Sequence, residues 1–168
     1  MNPDGVSRGH IRTNAAGENL NRTWADPDPA TAPEVCAIAA LMDRTGVDFM
    51  CDVHGDEATP AVFAVGCEGV PSFSPALDAI QGRFQATLKK MCPEFHAGTD
   101  PKYSYGRMAA GRANLAICKN AVAERFNSRY AADAAAAGAP QSRFCLAMTL
   151  EMPFWDCEYA PDAAVGWR

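Results

Sequence analysis

The sequence predicts an α/β fold, a mixed sheet flanked by helices, on three observations. Short apolar strand patterns at 47–53, 61–65 and 144–150 alternate with longer stretches of helical periodicity. Two polar residues, His54 and Glu151, fall at strand ends, where ligands gather in open α/β sheets. The 168 residues are the size of one domain, and 48% hydrophobic with 21% charged residues is a globular composition.

The elements follow in chain order. Residues 1–30 show almost no apolar periodicity and are rich in Asn, Arg, Gly, Asp and Pro, so they read as one long functional loop opening on an Asn2-Pro3-Asp4-Gly5 turn. Thr31-Ala32-Pro33-Glu34 reads as a capping box with proline just inside a helix start. Val35, Ile38, Ala39 and Met42 continue that helix, and Gly46 stops it. Val47–Val53 is a strand with His54-Gly55-Asp56-Glu57 just past its end, and Ala61–Val65 is a second strand.

A helix starts at Ser74-Pro75, repeats Leu77, Ile80, Phe84, Leu88 and Met91 on one face, and ends at Pro93. Residues 97–112 form a Gly- and Tyr-containing loop, Ala113–Phe126 a third helix, and the Ala-rich residues 131–143 a surface insertion closing with Gly138 and Pro140. Phe144–Leu150 is a strand ending at Glu151-Met152-Pro153. It sets Phe144, Leu146, Met148 and Leu150 on one face and Cys145, Ala147, Thr149 and Glu151 on the other. Glu151 thus extends a face of small residues, which leaves room for a cavity.

Charge and cysteine usage narrow the function classes. A net charge of −5, from 15 basic and 20 acidic residues with no Lys/Arg stripe, argues against a nucleic-acid partner. No apolar run reaches the roughly 18 residues of a membrane helix, so no membrane partner is expected. The polar start of the chain does not read as a secretory signal. Seven cysteines, an odd number with no C-x-x-C pair, read as buried free thiols in a reducing compartment, hence a cytoplasmic protein. Cys51 and Cys145, inside apolar strands, typify them.

Three segments carry chemistry. Arg8, Arg12 and Arg22, with Asn14, Asn19 and Asn21 between them, put many planar donors into one loop, suited to gripping a carboxylate. His54 follows a strand, a position where a lone histidine more often caps or is internally satisfied than binds a metal. Glu151 ends a buried apolar strand, where an unpaired acid needs a reason.

The order of these residues resembles the zinc metallocarboxypeptidases, specifically the cytosolic-carboxypeptidase-like branch of the carboxypeptidase A fold. The strings are Asn2-Pro3-Asp4-Gly5, then Arg8-Gly9-x-x-Arg12-x-Asn14, then Gly17-x-Asn19-Leu20-Asn21-Arg22-x-Trp24. Asp52-x-His54-Gly55 and Thr149-Leu150-Glu151-Met152-Pro153-Phe154 complete the likeness. The resemblance implies Asn21 and Arg22 as the clamp on a peptide's C-terminal carboxylate, with Arg8 near a second family arginine. It implies Arg12 as the group polarising the scissile carbonyl, His54 as a zinc ligand and Glu151 as the general base. The substrate would be the C-terminus of a peptide or protein.

The family draws its first two zinc ligands from an H-x-x-E motif upstream of the clamp. Here the string occurs only at His54–Glu57, after it, so the zinc site is expected to be incomplete. The resemblance therefore implies one partial catalytic domain over 1–168, with 1–30 as substrate clamp, lacking the N-terminal strands of the sheet and leaving its edges open. A zinc amidohydrolase of the same fold, removing acyl groups from amino acids, and a metal-free remnant that binds peptide C-termini stay open as alternatives. The family's mobile tyrosine has candidates in Tyr103, Tyr105 and Tyr130, and His10 and His96 read as loop histidines.

Overall fold

A computed structural model describes residues 1–96, 108–109 and 111–154. Its frame is a four-stranded mixed sheet in the order β1-β4-β2-β3, formed by β1 (Phe49–Asp56), β2 (Val62–Val65), β3 (Phe95–His96) and β4 (Leu146–Pro153). β1 runs parallel to β4, β2 antiparallel to β4, and β3 parallel to β2. β4 is buried over its first four residues, as a strand paired on both sides should be. Among the described residues β1 pairs only with β4, and its Phe49 and Val53 stand exposed.

Helices cover both faces. α3 (Pro75–Met91) begins as its sequence announces: the Ser74 hydroxyl accepts from Leu77 N at 3.2 Å, and Pro75 occupies the first turn. Its Phe84 packs on Phe49 with ring centroids 5.2 Å apart. Phe49 faces the side of β1 opposite Met50, Asp52 and His54, because strand side chains alternate. α4 (Cys118–Ala136) is buried along Val122, Ala123, Phe126 and Tyr130. It is stitched to β4 by Asn127, which donates to the Cys145 carbonyl at 3.0 Å and accepts from the Cys145 N–H at 2.9 Å.

Several boundaries differ from the sequence expectation. Residues 1–30 are not structureless: α1 (Pro3–Arg8) and a 3₁₀ turn at Leu20–Arg22 lie within them. Asn2 caps α1 by accepting from Gly5 N at 2.9 Å, so the Asn-Pro-Asp-Gly string starts a helix rather than a simple turn. α2 (Pro33–Thr45) is capped by Ala32 without a side-chain bond, so Thr31 forms no capping box. Glu34 instead receives the Asn14 amide. Gly46, at φ 73°, ends α2 as expected.

The first strand runs to Asp56, and the last begins at Leu146 and runs to Pro153. His54 and Glu151 therefore sit inside strands rather than beyond them. α4 starts at Cys118, not Ala113, and passes through residues 131–136 of the Ala-rich stretch before Gly138 turns the chain at φ 63°. Cys67, Cys118 and Cys145 are buried free thiols, but Cys51 and Cys92 are exposed. Most of the expected 97–112 loop, with Tyr103 and Tyr105, lies outside the described residues, as does Cys157.

Candidate functional site

Two strand ends and the Asn/Arg loop converge on a cavity of about 670 Å³. Asn2, Arg12, Asn21, His54, Glu57 and Phe154 are among the residues lining it. The sequence-predicted residues do not all reach it. Arg12, Asn21 and His54 do; Glu151 is not among the lining residues, and neither is Arg8, which is exposed at the end of α1. Arg22 is exposed beside the cavity, with Nη1 donating to the Asn21 carbonyl at 2.7 Å, which leaves four of its five N–H groups to spare.

The three asparagines have three different roles. Asn14 is buried, and its bonds go inward: Nδ2 to the Thr31 carbonyl at 2.8 Å, Oδ1 from the Ala16 and Glu18 N–H groups at 3.0 Å each. It fixes the loop against α2. Asn19 caps the 3₁₀ turn, accepting from Asn21 N at 3.2 Å. Asn21 is the one that faces His54, with Nδ2 3.4 Å from Nε2, while its Oδ1 accepts from Cys118 N at 2.8 Å.

His54 Nε2 lies 2.9 Å from Asp52 Oδ2. Both belong to the same face of β1, two residues apart, which is what brings them together. The Asp52 carboxylate raises the His54 pKa, against partial burial that lowers it. Asp52 and Asn21 both meet the ring at Nε2, which leaves Nδ1 clear of either.

Glu151 is the register partner of His54 across the parallel β1/β4 pair and of Phe63 across the antiparallel β2/β4 pair. The expected alternation along β4 holds, and Ala147 and Thr149 on the Glu151 side are both buried. Burial raises the Glu151 pKa, with His54 acting against it and Asp56, Asp52 and Glu57 adding to it. A half-buried carboxylate held beside an imidazole is an effective proton acceptor in waiting.

Sequence reasoning missed the residues that hold this arrangement in place. Asn2 donates to the Thr13 carbonyl at 2.9 Å, closing the loop that carries Arg12, and a Cβ on Gly5 would fall 2.2 Å from Asn2 Nδ2. Asp56 is buried and accepts from Ala58 N and Thr59 N at 2.8 and 2.6 Å, turning the chain after β1. A Cβ on Gly55 would fall 2.0 Å from the Phe154 ring, so the glycine after His54 lets that ring lie against β1. These signals were present as Asn-x-x-Gly, His-Gly and Asp-x-x-Thr spacings, but each partner is fixed only by tertiary placement.

Two further candidates are removed from the site. Tyr130 is buried and pinned, its hydroxyl accepting from Val47 N at 2.9 Å and donating to the Val47 carbonyl at 3.1 Å. It is no mobile tyrosine. His96 lies in β3, paired with Phe63, rather than in a loop.

For a metal, the donor chemistry fits one ligand position. His54 offers an imidazole already oriented through its other nitrogen, as metal-ligating histidines are. Among the described residues no group of three or more His, Cys, Asp and Glu side chains gathers as a complete metal site requires. Nor is any helix among them long and apolar enough to cross a membrane.

Comparison with known proteins bears on the fold. No family profile matches the sequence. An uncharacterised protein of Zymomonas mobilis is 44% identical over 167 residues, which is 99% of this chain and 38% of that protein. Bovine cytosolic carboxypeptidase 3 is 29% identical over 130 residues, 75% of this chain and 13% of its own length. Among solved structures, the Pseudomonas aeruginosa metallo-carboxypeptidase in complex with (2-guanidinoethylmercapto)succinic acid aligns at a TM-score of 0.81. It is 41% identical and is matched over 99% of this chain and 39% of that one. The Burkholderia cenocepacia metallo-carboxypeptidase aligns at 0.80, with 36% identity over 100% of this chain and 39% of its own. The chain thus spans about two fifths of the length of these bacterial relatives, and by sequence and fold together it belongs to the metallocarboxypeptidase family.

Proposed function

We propose that this chain carries the substrate clamp, one metal-ligating histidine and the general base of a zinc-dependent carboxypeptidase acting on the C-terminal peptide bond of peptides or proteins. The observation that carries the reading is the convergence of Arg12, Asn21 and His54 on one cavity with Glu151 in register beside His54. The curated relatives named cytosolic carboxypeptidases favour a cytoplasmic location.

The terminal carboxylate is held by the Asn21 NH₂ and the free N–H groups of Arg22, which makes cleavage exo rather than endo. Arg12 faces the oxygen of the last peptide carbonyl, where negative charge develops as water adds to the carbon. Glu151 accepts the proton of that water and passes it to the departing amine as the C–N bond breaks. His54, with Nε2 held by Asp52, would offer Nδ1 to zinc. Zinc bound there would supply Lewis acidity and a more acidic water.

The test is binding of an acetylated dipeptide with a free C-terminal carboxylate against its C-terminal amide. The acid is expected to bind at least tenfold more tightly, and Asn21→Ala or Arg22→Ala to remove most of that preference. Equal affinity for acid and amide would overturn the reading.

A further inference from the structure

We propose that the backbone N–H of Cys118, the first residue of α4, is a positioning group for the candidate carboxylate site: it sets which end of the Asn21 amide faces the cavity. The proposal rests on the reading of Asn21 as a carboxylate ligand.

An asparagine amide has two ends of nearly equal size and opposite character. Only the NH₂ end attracts a carboxylate; the carbonyl end repels it. In an exposed loop nothing decides between them. Here Asn21 Oδ1 accepts from the Cys118 N–H at 2.8 Å. Turning the amide over would set NH₂ against N–H, two donors facing each other.

The donor is one that needs an outside acceptor. The first N–H groups of a helix have no intrahelical partner, and Ile117, the residue before α4, provides no side-chain cap. Cys118 is buried, so its N–H depends on Asn21 rather than on solvent. Asn21 therefore acts as a cap supplied from a segment 97 residues away in sequence. A second bond, Trp24 N to the Ala116 carbonyl at 3.2 Å, holds the same loop in register with the residues before α4.

With Oδ1 engaged, Nδ2 turns toward His54 Nε2 at 3.4 Å. That places the NH₂ end of Asn21 on the cavity side, which Asn21 lines together with Arg12; one of its hydrogens meets Nε2 and the other is left for a ligand.

The test exploits the helix position. Proline is tolerated at the first residue of a helix, and Ile117, at φ −87° and ψ 137°, already has the extended conformation that a following proline requires. Cys118→Pro removes the N–H with the side chain, and Cys118→Ala removes only the thiol. Both variants are first checked for an unchanged far-UV spectrum and cooperative unfolding. Affinity is then measured for the acetylated dipeptide acid and its amide. Cys118→Ala is expected to keep the wild-type preference for the acid, and Cys118→Pro to lose it by about tenfold.

Hydrogen exchange supplies a readout free of the ligand. The Cys118 amide should be protected in the wild type and lose that protection in Asn21→Ala. Retention of the acid preference in Cys118→Pro, an equal loss in Cys118→Ala, or an unprotected Cys118 amide would each overturn the positioning role while leaving the clamp intact. A wild type that does not prefer the acid would instead overturn the carboxylate reading, and the ligand-presenting role with it.

Discussion

His54 and Glu151 stand opposite each other, in register, on the neighbouring parallel strands β1 and β4. Paired residues of a parallel ladder project to the same face, so an imidazole and a carboxylate share one side of the sheet at its functional edge. The two strands are 97 residues apart in the chain, yet the register leaves little freedom in how their side chains meet. If Glu151 accepts the proton of the attacking water, Glu151→Gln should lower peptide turnover by about 10²- to 10⁴-fold. Affinity for the peptide acid should stay within twofold, because the clamp is on a different element. Release of the C-terminal amino acid, measured beside binding, checks both halves; a variant that still turns over sinks the base assignment.

Gly5 makes a stability prediction. Asn2 both caps α1 and reaches the Thr13 carbonyl, and a Cβ at Gly5 would lie 2.2 Å from Asn2 Nδ2 and 2.6 Å from Thr13 O. One of the two atoms in the way is backbone, so the contact cannot be relieved by a rotamer change alone. Gly5→Ala should destabilise by about 1–3 kcal/mol and weaken peptide binding, because the loop bearing Arg12 is tied down through that contact. Urea unfolding and peptide affinity test it, and an Ala variant unchanged in both would contradict it.

How much of this was legible in the sequence depends on whether a signal is local. Ser74-Pro75 and the apolar spacing through Leu88 placed α3, because its cap and stripe involve only near neighbours. The alternation of β4 was readable for the same reason. Thr31 and Asn14 were misread because their partners are distant: Asn14 reaches Glu34, so a side chain from another segment meets the residue expected to close the capping box. Ala113 looked like a helix start on propensity, but α4 waits until Cys118, whose N–H meets the Asn21 side chain. Composition marked the Asn/Arg loop as a carboxylate binder without distinguishing the buried scaffold residue Asn14 from Asn21 at the cavity.

Asn127 is a buried stitch with no functional duty, and its loss should be costly. It donates to the Ala123 carbonyl at 2.9 Å and exchanges two bonds with the backbone of Cys145. Asn127→Ala leaves the N–H and carbonyl of Cys145 buried without that partner, at about 1–3 kcal/mol for each group left unsatisfied. A loss of about 2–4 kcal/mol in urea unfolding is expected, with Asn127→Asp nearly as damaging because an acceptor-only carboxylate cannot serve the Cys145 carbonyl. A loss below 1 kcal/mol would show that water replaces the stitch.

Alkaline stability should depend on three buried thiols, Cys67, Cys118 and Cys145, all of which burial pushes up. Burial pushes Cys67 up to about 11 and Cys145 up to about 12 from a reference of 9.0. The native state therefore holds these protons more tightly than the unfolded chain does. Their contribution is fully present below pH 9 and declines as pH rises through the folded values, because ionisation then favours the unfolded chain. For Cys67 alone the loss between pH 8 and pH 10.5 is about 2 kcal/mol, because each tenfold difference in proton affinity between the two states is worth about 1.4 kcal/mol. Cys67→Ala should start less stable at pH 8, from the small cavity it leaves, and then lose less over that interval than the wild type. Urea midpoints for both proteins at the two pH values decide the matter: converging curves support the buried-thiol account, and parallel ones exclude it.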